Sequence, residues 1–385
     1  MESTETINSR FEEIRSYNDS EVSSAVKSLV KDSEFRSAVC AAIGPIKYCI
    51  LKSRLKKSHS KEELQRLVSL PFVKQTIKHT SSGLTSDFSD LDLQNTTHLF
   101  ISNHRDIVLD SAILSYLLIE HGSKCVEIAI GDNLLIKPWI RSAARLNRSF
   151  IVHRSLPPKE LLESSRILSD YIRYRICTDA TPCWIAQREG RAKDSNDRTQ
   201  KSVLKMLAMS GDGTLVEKLS TLNITPLSIN YEYDPCDYLK AKEFQLKRDN
   251  ADYRKSKADD ILNMKTGIMG YKGRIHYCAA RPINDMLKQI DQSKPVNVQL
   301  EQVAQMIDKS IFSNYGLFTT NYVAYDLLTE TDTYSDKYTP KEKKDFAEYI
   351  ENQLKRIDIP NPDIAFLRTK LLEIYANIVI NKHSV

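Results

Sequence analysis

Short apolar runs alternate with longer stretches of helical periodicity from about residue 94 onwards. Each run has the length of a strand, and the stretches between the runs are long enough to form helices. Strands separated by helices in this way favour an α/β fold, in which a mixed, mostly parallel sheet is flanked by helices. The predicted strands are His98–Ser102, Val126–Ile130, Ser149–His153, Pro182–Ala186, Ile224–Tyr231 and Arg274–Ala279, and the predicted helices between them are Val108–Glu120, Leu134–Arg145, Pro158–Tyr174 and Gln200–Met209.

Both flanks of this alternating portion have a helical pattern. Near the N-terminus Phe11, Ile14 and Tyr17 recur at helical spacing. A later helix of the same flank is predicted to end or bend at Gly44-Pro45. We therefore expect three regions: a helical N-terminal region over residues 1–93, an α/β core over residues 94–285 and a helical C-terminal region over residues 286–385.

The composition is that of an ordinary globular protein, with 41% hydrophobic and 27% charged residues. The seven cysteines are odd in number and show no metal-ligand spacing, which favours a reducing compartment. The stretch from Met1 to Glu5 is acidic and polar and has no apolar signal-peptide core. We therefore expect a cytoplasmic protein rather than a secreted one.

Positive charge lies beside apolar residues in two segments. Ala38–Leu51 is followed by four cations within Lys52–Lys57, and Leu134–Leu146 mixes aromatic, aliphatic and cationic side chains. Both compositions are typical of segments that lie in the headgroup region of an anionic membrane, although a helical hairpin packed on the core explains the first equally well. The first segment is too short and too polar to cross a bilayer. Nucleic-acid binding is not expected, because no Arg/Lys-rich recognition helix or aromatic-interleaved strand pair is present.

The most reactive group of residues directly follows the first strand of the core. There Asn103, His104 and Arg105 are succeeded by Asp106 and Asp110. A histidine can accept a proton from a substrate hydroxyl, and a carboxylate that accepts a hydrogen bond from the other ring nitrogen fixes the tautomer. Both aspartates are close enough in sequence to serve. A helix cap with a surface ion pair is the alternative explanation of the same cluster.

Charged side chains also follow two other predicted strands. Arg154 follows one of them, and Glu189, Gly190 and Arg191 follow the next. Parallel α/β sheets bind ligands at the carboxyl ends of their strands. Guanidinium groups match the geometry of phosphate oxygens, and a glycine allows a ligand to approach the backbone closely. A solvated surface is the competing explanation, since exposed charges are common at strand ends.

The order of these stretches resembles the glycerolipid acyltransferase superfamily, which includes the glycerol-3-phosphate and 1-acylglycerol-3-phosphate acyltransferases. The resemblance covers residues 97–235. It rests on Asn103-His104-Arg105 with its following aspartate, on a strand that ends in Phe150-Ile151 before Arg154, on Arg188-Glu189-Gly190-Arg191 and on Ile224-Thr225-Pro226.

The chain departs from the family pattern in the spacing of its histidine and aspartate. Four residues separate the two in the family, whereas five separate His104 from Asp110, and Leu109 stands in the expected place. Either a local bulge brings Asp110 back to the histidine or Asp106 takes the orienting role. Gln187-Arg188 also stands where an aromatic residue and proline are common.

Family membership implies transfer of an acyl group from a thioester, on coenzyme A or acyl carrier protein, to a hydroxyl of glycerol 3-phosphate or of its 1-acyl form. A variant acceptor is another polar lipid, such as an amino-acid lipid. The expected partners are the thioester carrier, the lipid substrate and the inner face of a membrane, without a metal or redox cofactor. The implied catalytic residues are His104 with Asp110 or Asp106, and the implied substrate-binding residues are Arg154, Glu189, Gly190, Arg191 and Arg105.

Two other classes of function are alternatives to acyl transfer. One is a lipid-binding or scaffolding protein that has kept the fold but lost turnover, and the altered histidine-to-aspartate spacing is its only support. Serine-hydrolase and zinc-protease chemistry is not expected, because the chain has neither a Gly-x-Ser-x-Gly elbow nor a His-Glu-x-x-His motif.

Overall fold

The computed structural model describes residues 9–154 and 156–385. Its seven strands are β1 (Gly83–Asp87), β2 (Leu99–Ser102), β3 (Glu127–Gly131), β4 (Ser149–Val152), β5 (Cys183–Ala186), β6 (Ile224–Tyr231) and β7 (Arg274–Ala279). They form one sheet in the order β1-β7-β6-β2-β5-β3-β4. The five strands from β6 to β4 are parallel, whereas β7 runs antiparallel to β6 and pairs in parallel with β1. The predicted α/β fold is confirmed.

Helices lie on both faces of the sheet and at both flanks. The N-terminal helices are Asp19–Leu29, Ser33–Ile43, Pro45–Lys56, Lys61–Leu64 and Leu70–Thr80, with a π-helical turn at Gln65–Ser69. Those of the core are Leu109–Glu120, Pro138–Leu146, Pro158–Arg173, Lys201–Leu207, Leu215–Ser220, Asp237–Asp249, Lys257–Met269 and Asn284–Leu287, with a π-helical turn at Tyr174–Thr178. Those after the sheet are Val296–Ser313, Thr319–Thr329, Pro340–Leu354 and Ile364–His383, and short 3-10 turns occur at Asp132–Leu134 and Ser335–Lys337.

None of the helices in the described ranges combines the length and apolar composition that a bilayer span requires.

The central strand β2 shows why the core has two layers. Leu99 and Ile101 pack into one buried cluster, and Phe100 packs into the other. This alternation follows from the two-residue period of a strand, and it buries β2 on both faces. The carboxyl end of β2 is therefore held rigidly at the middle of the sheet.

The structure contains a strand and several helices that were not predicted. β1 lies within residues 1–93, which were predicted to be helical, and it is an edge strand with a single large apolar residue, Leu84. Helices Asp237–Asp249 and Lys257–Met269 were not predicted, because their charged residues obscure the apolar period. The predicted end of a helix at Gly44-Pro45 is confirmed, because Ser33–Ile43 ends there and Gly44, with φ of +82°, joins it as a hairpin to the helix that Pro45 begins. The division into three regions remains a prediction.

Glu127 on β3 ties the N-terminal region to the sheet. Its buried carboxylate accepts hydrogen bonds from Ser16 Oγ at 2.6 Å and Tyr171 Oη at 2.7 Å. Arg175 lies 2.9 Å and Lys61 3.7 Å from the same carboxylate. Burial raises the pKa of Glu127, but the two cations and the two hydroxyl hydrogen bonds together outweigh burial and hold the pKa below its usual value. The buried charge thus fixes the N-terminal helices against the strands that carry the candidate site.

Candidate active site

Asn103 anchors the turn that carries His104. Its side-chain amide donates a hydrogen bond to the carbonyl of Ile229 at 2.8 Å, and its Oδ1 accepts from the Ile229 amide at 2.8 Å. Asn103 is fully buried and continues the pairing of β2 with β6 beyond the last residue of β2. The next residue, His104, is therefore delivered to the carboxyl edge of the sheet, as the sequence predicts.

His104 contacts Asp110 through its Nδ1 atom, which lies 2.8 Å from Asp110 Oδ2. The same oxygen accepts hydrogen bonds from the backbone amides of Arg105 at 2.6 Å and Asp106 at 3.0 Å, and Oδ1 accepts one from Tyr231 Oη at 3.0 Å. A carboxylate only accepts hydrogen bonds, so Nδ1 of the neutral imidazole carries the proton. Its Nε2 is then left with the lone pair that a general base needs.

Asp106 holds the start of the next helix. Its Oδ1 accepts hydrogen bonds from the amides of Val108 at 2.8 Å and Leu109 at 2.7 Å, which are free donors at the beginning of Leu109–Glu120. Burial and the neighbouring Asp110 raise the pKa of Asp106. The turn from residue 105 to 108 absorbs the additional residue of the motif, so that Asp110 rather than Asp106 contacts the imidazole.

A cavity of about 800 Å³ opens beside His104. Its walls come from the carboxyl ends of the parallel strands and from helices on one face of the sheet, and they are mostly apolar. Trp184 of β5 lines the cavity beside His104, and the two ring centroids lie 5.4 Å apart in an edge-to-face arrangement. Phe35, Phe72 and Trp139 bring the N-terminal helices and Pro138–Leu146 into the wall.

Cationic side chains occur on the cavity wall near its polar rim. Arg154 and Arg188 line the cavity, and Arg154 Nη1 lies 3.8 Å from Glu189 Oε1. Gly190, with φ of +68°, also lines it. Gly131 at the end of β3 leaves room for Arg154, because an added Cβ there would lie 2.7 Å from Arg154 Nε. The predicted Arg154, Glu189 and Gly190 therefore share a wall with His104.

Arg105 and Arg191, by contrast, do not line this cavity. Arg105 is buried in an ion pair with Asp197 and donates to Ser195 Oγ. Arg191 is buried and donates to Asn263 Oδ1 at 3.0 Å. Both guanidinium groups hold loops and helices together, so the geometry does not support the predicted substrate contacts. Spacing along the chain does not tell on which side of a turn a side chain lies.

Three residues at the site were not predicted. Arg188 and His153 line the cavity, and Tyr231 bonds Asp110. His153 ends one predicted strand, and Arg188 follows the end of another after Gln187. Both positions indicate a residue at the edge of the sheet. For Tyr231, nothing in the sequence indicates its long-range contact with the aspartate. His153 Nδ1 also lies 3.1 Å from Asp132 Oδ2, which makes a second histidine–carboxylate pair on the same edge.

Comparison with known proteins gives a weak likeness. No family model matches the chain, and no curated protein matches it. The crystal structure of the 1-acyl-sn-glycerophosphate (LPA) acyltransferase PlsC from Thermotoga maritima is similar over 74% of this chain and 94% of that chain, with a TM-score of 0.38 and 8% sequence identity. A likeness of this strength identifies neither a family nor an activity.

The capping role of Asp106 predicts different effects of two substitutions. Asp106→Ala removes the acceptor for two helix amides and should lower the free energy of unfolding by about 1–2 kcal/mol. Asp106→Asn keeps a side-chain oxygen for these amides and removes a buried charge, so its stability should stay close to that of the wild type. Urea denaturation measures both values. Equal losses in the two variants would contradict the capping role.

Proposed function

We propose that this protein is an acyltransferase that moves a fatty acyl group from acyl-CoA or acyl carrier protein to a hydroxyl of glycerol 3-phosphate or 1-acyl-glycerol 3-phosphate. The observation that carries the proposal is the contact of His104 with Asp110 at the wall of a large apolar cavity. A cavity of about 800 Å³ lies within the range of small-molecule sites. Its apolar wall suits an acyl chain, and the histidine suits an attacking hydroxyl.

The chemistry follows from the hydrogen-bond pattern of the imidazole. The acceptor hydroxyl gives its proton to His104 Nε2 while its oxygen attacks the thioester carbonyl carbon. The tetrahedral intermediate then collapses, the carbon–sulfur bond breaks, and the leaving thiolate takes the proton back from Nε2. Asp110 stabilises the imidazolium that exists between these steps. General-base assistance of this kind contributes about 10²–10⁴-fold to a rate.

The rim of the cavity supports a phosphorylated acceptor. Arg154 and Arg188 both line the wall that holds His104, and among the described residues Glu189 is the only acidic one that lines the cavity. Guanidinium groups bind phosphate oxygens through two parallel hydrogen bonds. We assign the acceptor phosphate to these two arginines, and Arg105 and Arg191 to positioning of the surrounding loops.

The alternative of a lipid-binding protein without turnover had one supporting feature, the additional residue between His104 and Asp110. The 2.8 Å contact between Nδ1 and Oδ2 removes that support, because the additional residue does not separate the pair. Acyl transfer is therefore the function that the geometry supports best. The experiment below therefore includes an amino-acid lipid as an alternative acceptor.

We also propose that the protein works at a membrane surface, on the cytoplasmic side where acyl-CoA and acyl carrier protein occur. Exposed apolar side chains lie on the helical hairpin, whose Phe35 lines the cavity, and on helix Lys257–Met269, whose Met264 lines it. The hairpin within Ala38–Lys57 exposes Ile43, Ile46 and Ile50, and helix Lys257–Met269 exposes Ile261, Leu262 and Met269. The apolar residues of Leu134–Leu146 are instead half-buried or buried, and Trp139 and Ile140 line the cavity. This segment therefore supports membrane contact less than the hairpin does.

Product formation tests the proposed reaction. Purified protein is given acyl-CoA or acyl carrier protein thioester with glycerol 3-phosphate, 1-acyl-glycerol 3-phosphate or a hydroxylated amino-acid lipid, and acylated product is measured by mass spectrometry. His104→Ala should abolish product, and Asp110→Asn should slow it by about 10²–10⁴-fold. Asp106→Asn serves as the matched control and should stay close to the wild-type rate.

Product from His104→Ala at the wild-type rate would contradict the proposed base. A folded wild-type protein that binds lipid but forms no product with any pair of substrates would favour the lipid-binding alternative.

If Arg154 and Arg188 bind the acceptor phosphate, their substitution should affect only acceptors that carry a phosphate. Arg154→Gln and Arg188→Gln should each raise the KM for the phosphorylated acceptor by about 10–100-fold, because each loses a charge-assisted hydrogen bond. Monoacylglycerol, which lacks the phosphate, should react no more slowly with the variants than with the wild type. Arg166→Gln, an exposed arginine that does not line the cavity, is the control. Equal losses with both acceptors would argue against phosphate binding.

A further inference from the structure

A second cavity lies in the N-terminal region, away from His104. It has a volume of about 270 Å³ and lies between helix Asp19–Leu29 with its following turn and helix Pro45–Lys56 with its following turn. Four lysines line it, two from each side, together with neutral residues and one histidine. We call this cavity the lysine cleft, and its lysines are Lys27, Lys31, Lys52 and Lys56.

Within the part of the chain that the structure describes, the lysine cleft has no acidic partner. None of its lining residues is Asp or Glu, and among the described residues no carboxylate pairs with any of the four ammonium groups. Other lysines of the fold do pair, as Lys61 does with Glu127 and Lys137 with Glu34. The nearest acid in sequence, Asp32 beside Lys31, caps the next helix and accepts a hydrogen bond from the backbone amide of Phe35 at 2.8 Å.

Convergence of the four charges is unfavourable for the free protein. Lys52 and Lys56 are four residues apart on one helix, a spacing at which like charges repel, and Lys31 follows the end of the helix that carries Lys27. The helix dipole favours a cation near the end of each helix, which accounts for Lys27 and Lys56 separately. It does not account for four cations that share one cavity. An anionic ligand removes the repulsion.

The surrounding segment carries more than the whole net charge of the chain. Residues 27–57 contain eight Lys or Arg and two Asp or Glu, a net charge of +6, whereas the chain has +5. The remainder is therefore close to neutral, and the positive potential is concentrated around the lysine cleft. Such a field attracts anions and anionic surfaces over about one Debye length.

The neighbouring apolar side chains indicate what kind of anion fits. Ile46 and Ile50 are 78% and 51% exposed on the same helix as Lys52 and Lys56. At 100° per residue the two isoleucines share one face of this helix, and the two lysines share an adjacent one. Aliphatic side chains beside ammonium groups match the acyl and phosphate layers of an anionic bilayer. Protein interfaces, by contrast, are depleted in lysine.

We propose that the lysine cleft binds the phosphate headgroup of an anionic membrane lipid. The four ammonium groups surround the phosphate, while Ile46 and Ile50 of the adjacent face enter the acyl boundary. This site is separate from the acyl-transfer cavity. The inference rests on the proposed membrane association but not on the proposed reaction.

Vesicle co-sedimentation tests the inference with the full-length protein. The vesicles contain phosphatidylcholine alone or phosphatidylcholine mixed with phosphatidylglycerol. The cleft variant carries Lys27→Gln, Lys31→Gln, Lys52→Gln and Lys56→Gln, and the control variant removes the same charge through Lys294→Gln, Lys309→Gln, Lys341→Gln and Lys344→Gln at exposed positions of the C-terminal region. The wild type and the control should prefer the mixed vesicles, and the cleft variant should bind them at least about tenfold more weakly. Circular dichroism checks that each variant is folded.

Three results would overturn the inference. One is equal binding of mixed vesicles by the cleft variant and the wild type, which would leave the proposed membrane association intact. Another is stabilisation of the wild type by millimolar inorganic phosphate that the cleft variant lacks, with vesicle binding unchanged, since it would indicate a site for free phosphate. The third is loss of acyl carrier protein binding, again with vesicle binding unchanged, because it would indicate a protein partner. Product formation from acyl-CoA is independent of all three.

Discussion

The buried carboxylate of Asp110 is the group on which the geometry of the candidate site depends. Four hydrogen bonds converge on it, from His104, from two backbone amides and from Tyr231. A carboxylate buried without such donors would favour its neutral form, and it would then not orient an imidazole. The donors come from the turn after β2 and from the end of β6, so the sheet itself holds the histidine and aspartate together. The pairing of Asn103 with Ile229 keeps these two strand ends in register.

The same sheet also explains the apolar cavity. The parallel strands end at one edge, and helices of one face leave a space there that the N-terminal helices close through Phe35 and Phe72. Glu127 fixes those helices by a buried network of charges and hydroxyl groups. Acyl binding, membrane contact and anion binding are thus proposed for adjacent parts of one N-terminal assembly. Its hairpin presents isoleucines to the solvent and lysines to the cleft.

Much of the fold was predictable because its central strands are continuous apolar runs with helices between them. The six predicted strands occur within a residue or two of their predicted ends, and the edge strand β1 was missed because it buries little. The position of His104 followed from the end of β2. Which of Asp106 and Asp110 contacts His104 could not be predicted, because it depends on how a four-residue turn folds. The buried partners of Arg105 and Arg191 lie 92 and 72 residues away, and no local pattern indicates contacts of that range.

The central claim is that His104, oriented by Asp110, faces an acyl chain in the large cavity. A crystal structure of the protein with a thioether analogue of acyl-CoA, which has no cleavable carbonyl, tests this claim most directly. The acyl chain should lie within the apolar cavity, with the thioether carbon next to the sulfur within contact distance of His104 Nε2. An acyl chain bound elsewhere on the protein, with the cavity beside His104 empty, would overturn the proposed role of His104.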